Sequence, residues 1–154
     1  MSPIKVVFVC TGNTCRSPMA AAMAVQIFAE AGLIAEVCSA GVNAMNGQPA
    51  SRHAVKVMGE SGLCLLAHKA AIVSDDMLKT AGLVLTMTGS HRAVLLSDYP
   101  AIKGKVFTLA EYVGNNQNVA DPFGGSEDEY RKCATQIREL LLLTAKRLHN
   151  EGDL

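Results

Sequence analysis

The stretch Phe8 to Ala20, FVCTGNTCRSPMA, crowds two cysteines, a glycine, an asparagine, an arginine and a serine into the length of one tight loop. Cysteine attacks only as the thiolate, which forms where positive charge or oriented N–H groups surround the sulfur. That condition is met if a strand ends at Cys10 and a helix starts just beyond the loop. Unpaired amides of a first helical turn point back at the loop and make an anion site. Gly12 and Asn13 tolerate left-handed backbone, so the N–H groups from Thr11 through Thr14 and Cys15 to Arg16 can turn inward as a nest. Arg16 adds a planar fork that matches two phosphate oxygens. The chemistry this permits is attack by Cys10 on the phosphorus of a cradled phosphoryl group. A cysteine with an arginine shortly after it is weak evidence in a chain with five cysteines. The full string Cys-x-Gly-Asn-x-Cys-Arg-Ser-Pro at a strand-to-helix junction is far more specific.

Such a transfer also needs a proton for the leaving group. Asp121 stands in a polar loop, Gly114 to Gly125 (GNNQNVADPFGG), next to Pro122. Asp-Pro alone signals a turn. In company with Cys10 and Arg16, an acid on a stiffened loop can reach over a site formed at the carboxyl ends of strands.

These residues converge only if the intervening chain folds as alternating strands and helices. Ile4 to Val9 (IKVVFV) reads as a strand buried on both faces, and Pro18 to Ala31 as a helix with Ser17 as its cap. Ala35 to Ala40, Leu83 to Met87 and Val106 to Leu109 read as further strands. Helices are expected over Pro49 to Gly62, from the cap Ser74 to near Gly82, over Ser90 to Ser97, and from Ser126 onward. The alternation predicts an α/β fold, a parallel sheet covered by helices, in one domain spanning 1–154.

Composition narrows the function classes. An apolar fraction of 49% and a charged fraction of 18% describe a globular chain. Fourteen basic against fourteen acidic residues, with no Trp, give no global attraction for nucleic acid or an anionic membrane. The apolar run before Cys10 is too short for a membrane span and lacks a secretory cleavage site. Cysteines at 10, 15, 38, 64 and 133 form neither an even disulfide framework nor a paired zinc pattern. A reducing cytoplasm is the expected compartment.

The stretch Cys10 to Pro18 resembles that of the low-molecular-weight protein phosphatases. The resemblance extends to Ser39-Ala40-Gly41, Ala67-His68-Lys69 and Asp121-Pro122-Phe123, and so to nearly the whole chain. It implies a four-stranded parallel sheet with helices on both faces, no cofactor and no metal. It further implies that Cys10 forms a phosphocysteine, with Arg16 and the loop amides holding the equatorial oxygens. Asp121 would protonate the leaving group and then activate water. Asn13, Ser17, Ser39 and His68 match positions that brace the phosphate loop, and Ser17 would donate to the thiolate as well as cap the helix. Cys15 is either a partner for oxidised Cys10 or a bystander. His53, His91 and His149 show no partner pattern.

Thr11 follows the nucleophile, where tyrosine-directed members carry a bulky aliphatic. Together with DPFGGS, it makes the chain most like the bacterial protein-arginine phosphatases. The resemblance implies a phosphorylated protein as partner, a monomer, and phosphoarginine as the group attacked. Thr11 and Asp121 would accommodate the guanidinium, Phe123 would wall the pocket, and Gly124 would replace a second aromatic. Protein-tyrosine phosphatase is the close alternative. Arsenate reductase would need further cysteines in or after Gly82 to Gly89, which has none. A phosphate-binding module without catalysis would lack the nucleophile or acid, and both are present. Ala21 departs from the Glu common in the family.

Overall fold

The computed structural model describes residues 3–152, so Met1, Ser2, Asp153 and Leu154 of the 1–154 domain expected above lie outside it. Four strands, β1 (Ile4–Cys10), β2 (Ala35–Gly41), β3 (Leu83–Thr86) and β4 (Val106–Thr108), form one sheet in the order β2-β1-β3-β4. Every pairing is parallel. Six helices cover it: α1 (Arg16–Glu30), α2 (Arg52–Glu60), α3 (Asp75–Thr80), α4 (Gly89–Asp98), α5 (Leu109–Tyr112) and α6 (Glu127–Gly152).

Alternation along β1 divides the core. Val6, Phe8 and Cys10 face a layer holding Met19, Met23 and Phe28 of α1, Met58 of α2, and Ile137 and Leu141 of α6. Val7 and Val9 face the opposite layer, with Leu78 of α3 and Leu95 of α4. Both sides of β1 are therefore sealed, which is why its sequence is a continuous apolar run. Each large side chain fully buried here contributes about 1.5–3 kcal/mol through removal of apolar surface from water.

The expected strands and long helices are present, with ends shifted by a few residues. β2 runs on to Gly41. The helix expected over Pro49 to Gly62 starts only at Arg52, after the Ser51 cap. The short α5 is absent from the sequence-based expectation; a capping box between Thr108 and Glu111 opens it. The start of α1 differs in kind. Its first helical residue is Arg16, Cys15 flanks it without a side-chain cap, and Ser17 lies inside the first turn. Ser17 is therefore no cap, because its hydroxyl is engaged inside the loop.

The order β2-β1-β3-β4 reverses the direction of winding at the β1/β3 boundary. Loops leaving the carboxyl ends of these two strands diverge there and leave a crevice. Cys10 is the last residue of β1 and sits at its floor.

Candidate active site

The loop from Cys10 to Arg16 is held by its carbonyls. The Cys10 carbonyl accepts from Val42 N (2.9 Å), that of Thr11 from Asn43 N (2.9 Å), and that of Thr14 from Ser51 N (2.9 Å). The Asn13 carbonyl accepts from His68 Nε2 (2.8 Å), which fixes that nitrogen as the protonated one. A trans peptide holds its N–H opposite its C=O. Turning these carbonyls outward therefore turns the N–H groups of Thr11, Gly12, Thr14 and Cys15 inward.

Asn13 makes the turn possible. Its φ is +57°, the one left-handed non-glycine backbone among the described residues, whereas Gly12 is not left-handed. The Asn13 side chain is fully buried and stabilises that conformation. Its Oδ1 accepts from Ala71 N (2.9 Å), and its Nδ2 donates to Ser17 Oγ (2.8 Å) and Ser39 Oγ (2.9 Å). Gly41 lies against the loop from β2: a Cβ there would run into the Thr11 carbonyl oxygen and approach Asn13 N to 2.9 Å.

Cys10 is buried, and its sulfur lies 2.8 Å from Ser17 Oγ. Arg16 is also buried; its Nη1 donates to the Val119 carbonyl (2.9 Å), and its Nη2 is 3.5 Å from Asp121 Oδ2. Val119 N in turn donates to Met87 O (3.0 Å), tying the acid-bearing loop to the end of β3. The Asp121 side chain remains 52% exposed, so the acid is open to an incoming group. Its Oδ1 accepts from Phe123 N (3.1 Å), the turn that Asp-Pro announces. Phe123 is 74% exposed and stands at the rim.

Cys10, Thr11, Gly12, Thr14, Cys15, Arg16, Asp121 and Phe123 line one cavity of about 270 Å³. Asn13, Ser17, Ser39 and His68 brace it from behind. Ala21 lies on α1, packed against the core and away from the lining. A larger cleft of about 510 Å³, between Tyr112 and α6, contains Arg147 and Glu151 but no cysteine.

Residues given no role by the sequence also converge here. Gln48 joins the lining. Cys15 Sγ lies 3.3 Å from Tyr130 Oη and 3.6 Å from Ser51 Oγ, and its thiol is free, as is that of Cys10. Burial, and then the contact with Cys15, pushes the Tyr130 phenol up to about 12. Burial likewise pushes the neighbouring Cys133 thiol up to about 12, leaving it un-ionised and inert. His91, left unassigned above, is buried with its Nε2 2.8 Å from Thr11 Oγ1. Burial and the Arg16 charge hold its pKa down at about 4, against an opposing pull from Asp121. Thr88, the cap of α4, stands three residues before it. That capping spacing was visible in the sequence, but the direction of the ring was not.

The family model for low molecular weight phosphotyrosine protein phosphatase matches residues 5–153. The chain is 42% identical over 147 residues to a protein-arginine-phosphatase of Bacillus subtilis, covering 95% of this chain and 97% of that one. It is 37% identical over 138 residues to the low molecular weight protein-tyrosine-phosphatase PtpB of Staphylococcus epidermidis, covering 90% and 94%. The solved structure of the YwlE arginine phosphatase, a cysteine-to-serine mutant with a phosphorylated active-site serine, superposes with a TM-score of 0.91 at 42% identity, covering 94% and 95%.

Proposed function

This chain belongs to the low molecular weight phosphotyrosine protein phosphatase family, and on that premise we propose that it removes the phosphoryl group from phosphoarginine in proteins through a phosphocysteine at Cys10. The observation that carries the reading is the convergence of Cys10, Arg16 and Asp121 on one cavity floored by an inward-facing loop of amides. The Cys10 thiolate attacks phosphorus while the P–N bond breaks. Asp121 delivers its proton to the departing guanidine nitrogen. Arg16 and the loop N–H groups hold the equatorial oxygens as charge spreads over them. In the second half, the Asp121 carboxylate takes a proton from water, the new oxygen attacks phosphorus, and the S–P bond breaks to release phosphate and the thiolate.

Phosphoarginine is favoured over phosphotyrosine because Thr11 places a small polar group beside the nucleophile. Relatives named as arginine phosphatases also match over nearly the full chain. Phosphotyrosine is the second reading, favoured by the match to PtpB. The chain acts as a monomeric single phosphatase domain, 1–154, in a reducing cytoplasm that keeps Cys10 free. No helix among the described residues is long and apolar enough to cross a membrane.

The test is kcat/KM for two peptides differing only in carrying phosphoarginine or phosphotyrosine. The expected ratio favours phosphoarginine, and Thr11→Ile shifts it toward phosphotyrosine. A wild-type ratio favouring phosphotyrosine would establish the second reading instead.

A further inference from the structure

His91 is buried at the start of α4, yet its ring reaches across to the residue after the nucleophile. Nε2 lies 2.8 Å from Thr11 Oγ1, and Nδ1 lies 3.1 Å from Thr88 Oγ1. Thr88 Oγ1 already accepts the backbone N–H of His91 (3.3 Å) as the cap of the helix. Its own hydrogen can point at Nδ1, an arrangement in which the ring proton sits on Nε2 and faces Thr11. Burial and the Arg16 charge keep the ring neutral at ordinary pH, so only one of its nitrogens carries a hydrogen. The chain of bonds runs from Thr88 O–H to Nδ1, and from Nε2–H to Thr11 Oγ1.

We propose that His91 is a positioning residue: by donating from Nε2 it fixes the Thr11 hydroxyl in the orientation that selects a guanidinium-borne phosphoryl group over an aryl one. This selectivity rests on the phosphoarginine reading above, whereas the coupling of His91 to Thr11 does not. With one lone pair engaged by His91, Thr11 presents its hydrogen and its remaining lone pair to the cavity. A phosphorylated guanidine offers oxygens to the first and an N–H to the second. A phosphorylated phenol offers no donor, so the fixed lone pair is left unmatched against a ring when the site closes. Sites built around such hydrogen bonds discriminate against partners that cannot complete them. A freely rotating Thr11 would turn its methyl toward the ring and lose that discrimination.

The test is a double-mutant cycle on the two phosphopeptides, with wild type, His91→Phe, Thr11→Val and the double variant. His91→Phe keeps the ring volume but removes both nitrogens. It is expected to lower the phosphoarginine-to-phosphotyrosine ratio of kcat/KM by roughly 3- to 10-fold, the worth of one net hydrogen bond. Thr11→Val removes the hydroxyl at constant shape, and in that background His91→Phe is expected to leave the ratio unchanged. His91→Gln, whose amide nitrogen reaches a similar position, is expected to restore most of the ratio and also covers the case in which His91→Phe fails to fold. An equal effect of His91→Phe with and without the Thr11 hydroxyl would overturn the proposal. So would a loss of activity on both peptides with the ratio unmoved. A wild type that prefers phosphotyrosine would instead overturn the phosphoarginine reading, and the cycle would still report whether His91 acts through Thr11.

Discussion

The Cys10 sulfur and the Ser17 hydroxyl lie 2.8 Å apart beneath the phosphate loop, and Ser17 accepts a hydrogen bond from Asn13 Nδ2 on its other side. The hydroxyl hydrogen has two acceptors within reach, the Ala40 carbonyl at 3.4 Å and the sulfur, and an ionised Cys10 is the nearer and the charged one. A hydrogen bond to a charged acceptor is worth about 1.5–3 kcal/mol. Ser17→Ala should therefore slow alkylation of Cys10 by iodoacetamide at neutral pH, by up to roughly 100-fold. An unchanged alkylation rate would mean that Ser17 only braces the loop.

Asp121 is tied to Arg16 and to the Phe123 amide, but its carboxyl stays open to the cavity. Asp121→Asn should lower turnover by roughly 10²–10⁴-fold, the usual share of a general acid. The loss should shrink for activated aryl phosphates, whose leaving groups need no proton. Equal losses across leaving groups would assign Asp121 to loop positioning alone.

Gly41 sits where any Cβ would press on the backbone of Thr11 and Asn13. Backbone cannot swing aside as a flexible side chain can. Gly41→Ala should thus displace the loop, weakening inhibition by phosphate or vanadate and lowering thermal stability. Retained affinity for both anions would show that the loop tolerates the displacement.

His91 gives folding stability a definite pH dependence. Its pKa falls from 6.5 to about 4 on folding. Between those values the unfolded chain takes up a proton that the folded chain does not, so stability is full above 6.5 and is lost as pH falls toward 4. The loss through this one group is about 1–3 kcal/mol. Denaturant titrations should show His91→Phe losing less stability than wild type across that window. Parallel slopes in the two proteins would contradict the assignment.

The loop chemistry was legible because it is local. Cys10, Asn13 and Arg16 lie within one strand-loop-helix unit, whose anion-binding logic follows from residue order. The sheet was legible for a similar reason: β1 and β3 are short apolar runs buried on both faces, separated by helical patterns. What stayed hidden depends on tertiary direction. His91 is 80 positions from Thr11, and Tyr130 is 115 from Cys15. Neither contact leaves a periodic trace in the sequence. Ser17 was misjudged as a cap because Ser-Pro is a strong helix-start signal. The buried thiol and the Asn13 amide hold its hydroxyl instead, and the helix begins two residues earlier than Pro18, at Arg16.

In the proposed reaction the phosphoryl group passes from a substrate arginine to the side chain at position 10. The most direct test is intact and peptide-level mass analysis of Cys10→Ser after incubation with a phosphoarginine peptide. A serine hydroxyl there can still receive a phosphoryl group held by the loop, but it is a poor leaving group in the hydrolytic half. One added phosphoryl group is expected, located at position 10, with dephosphorylated peptide released in no more than equal amount and no continued turnover. Sustained turnover by that variant, or a phosphoryl group found on any other residue, would contradict it.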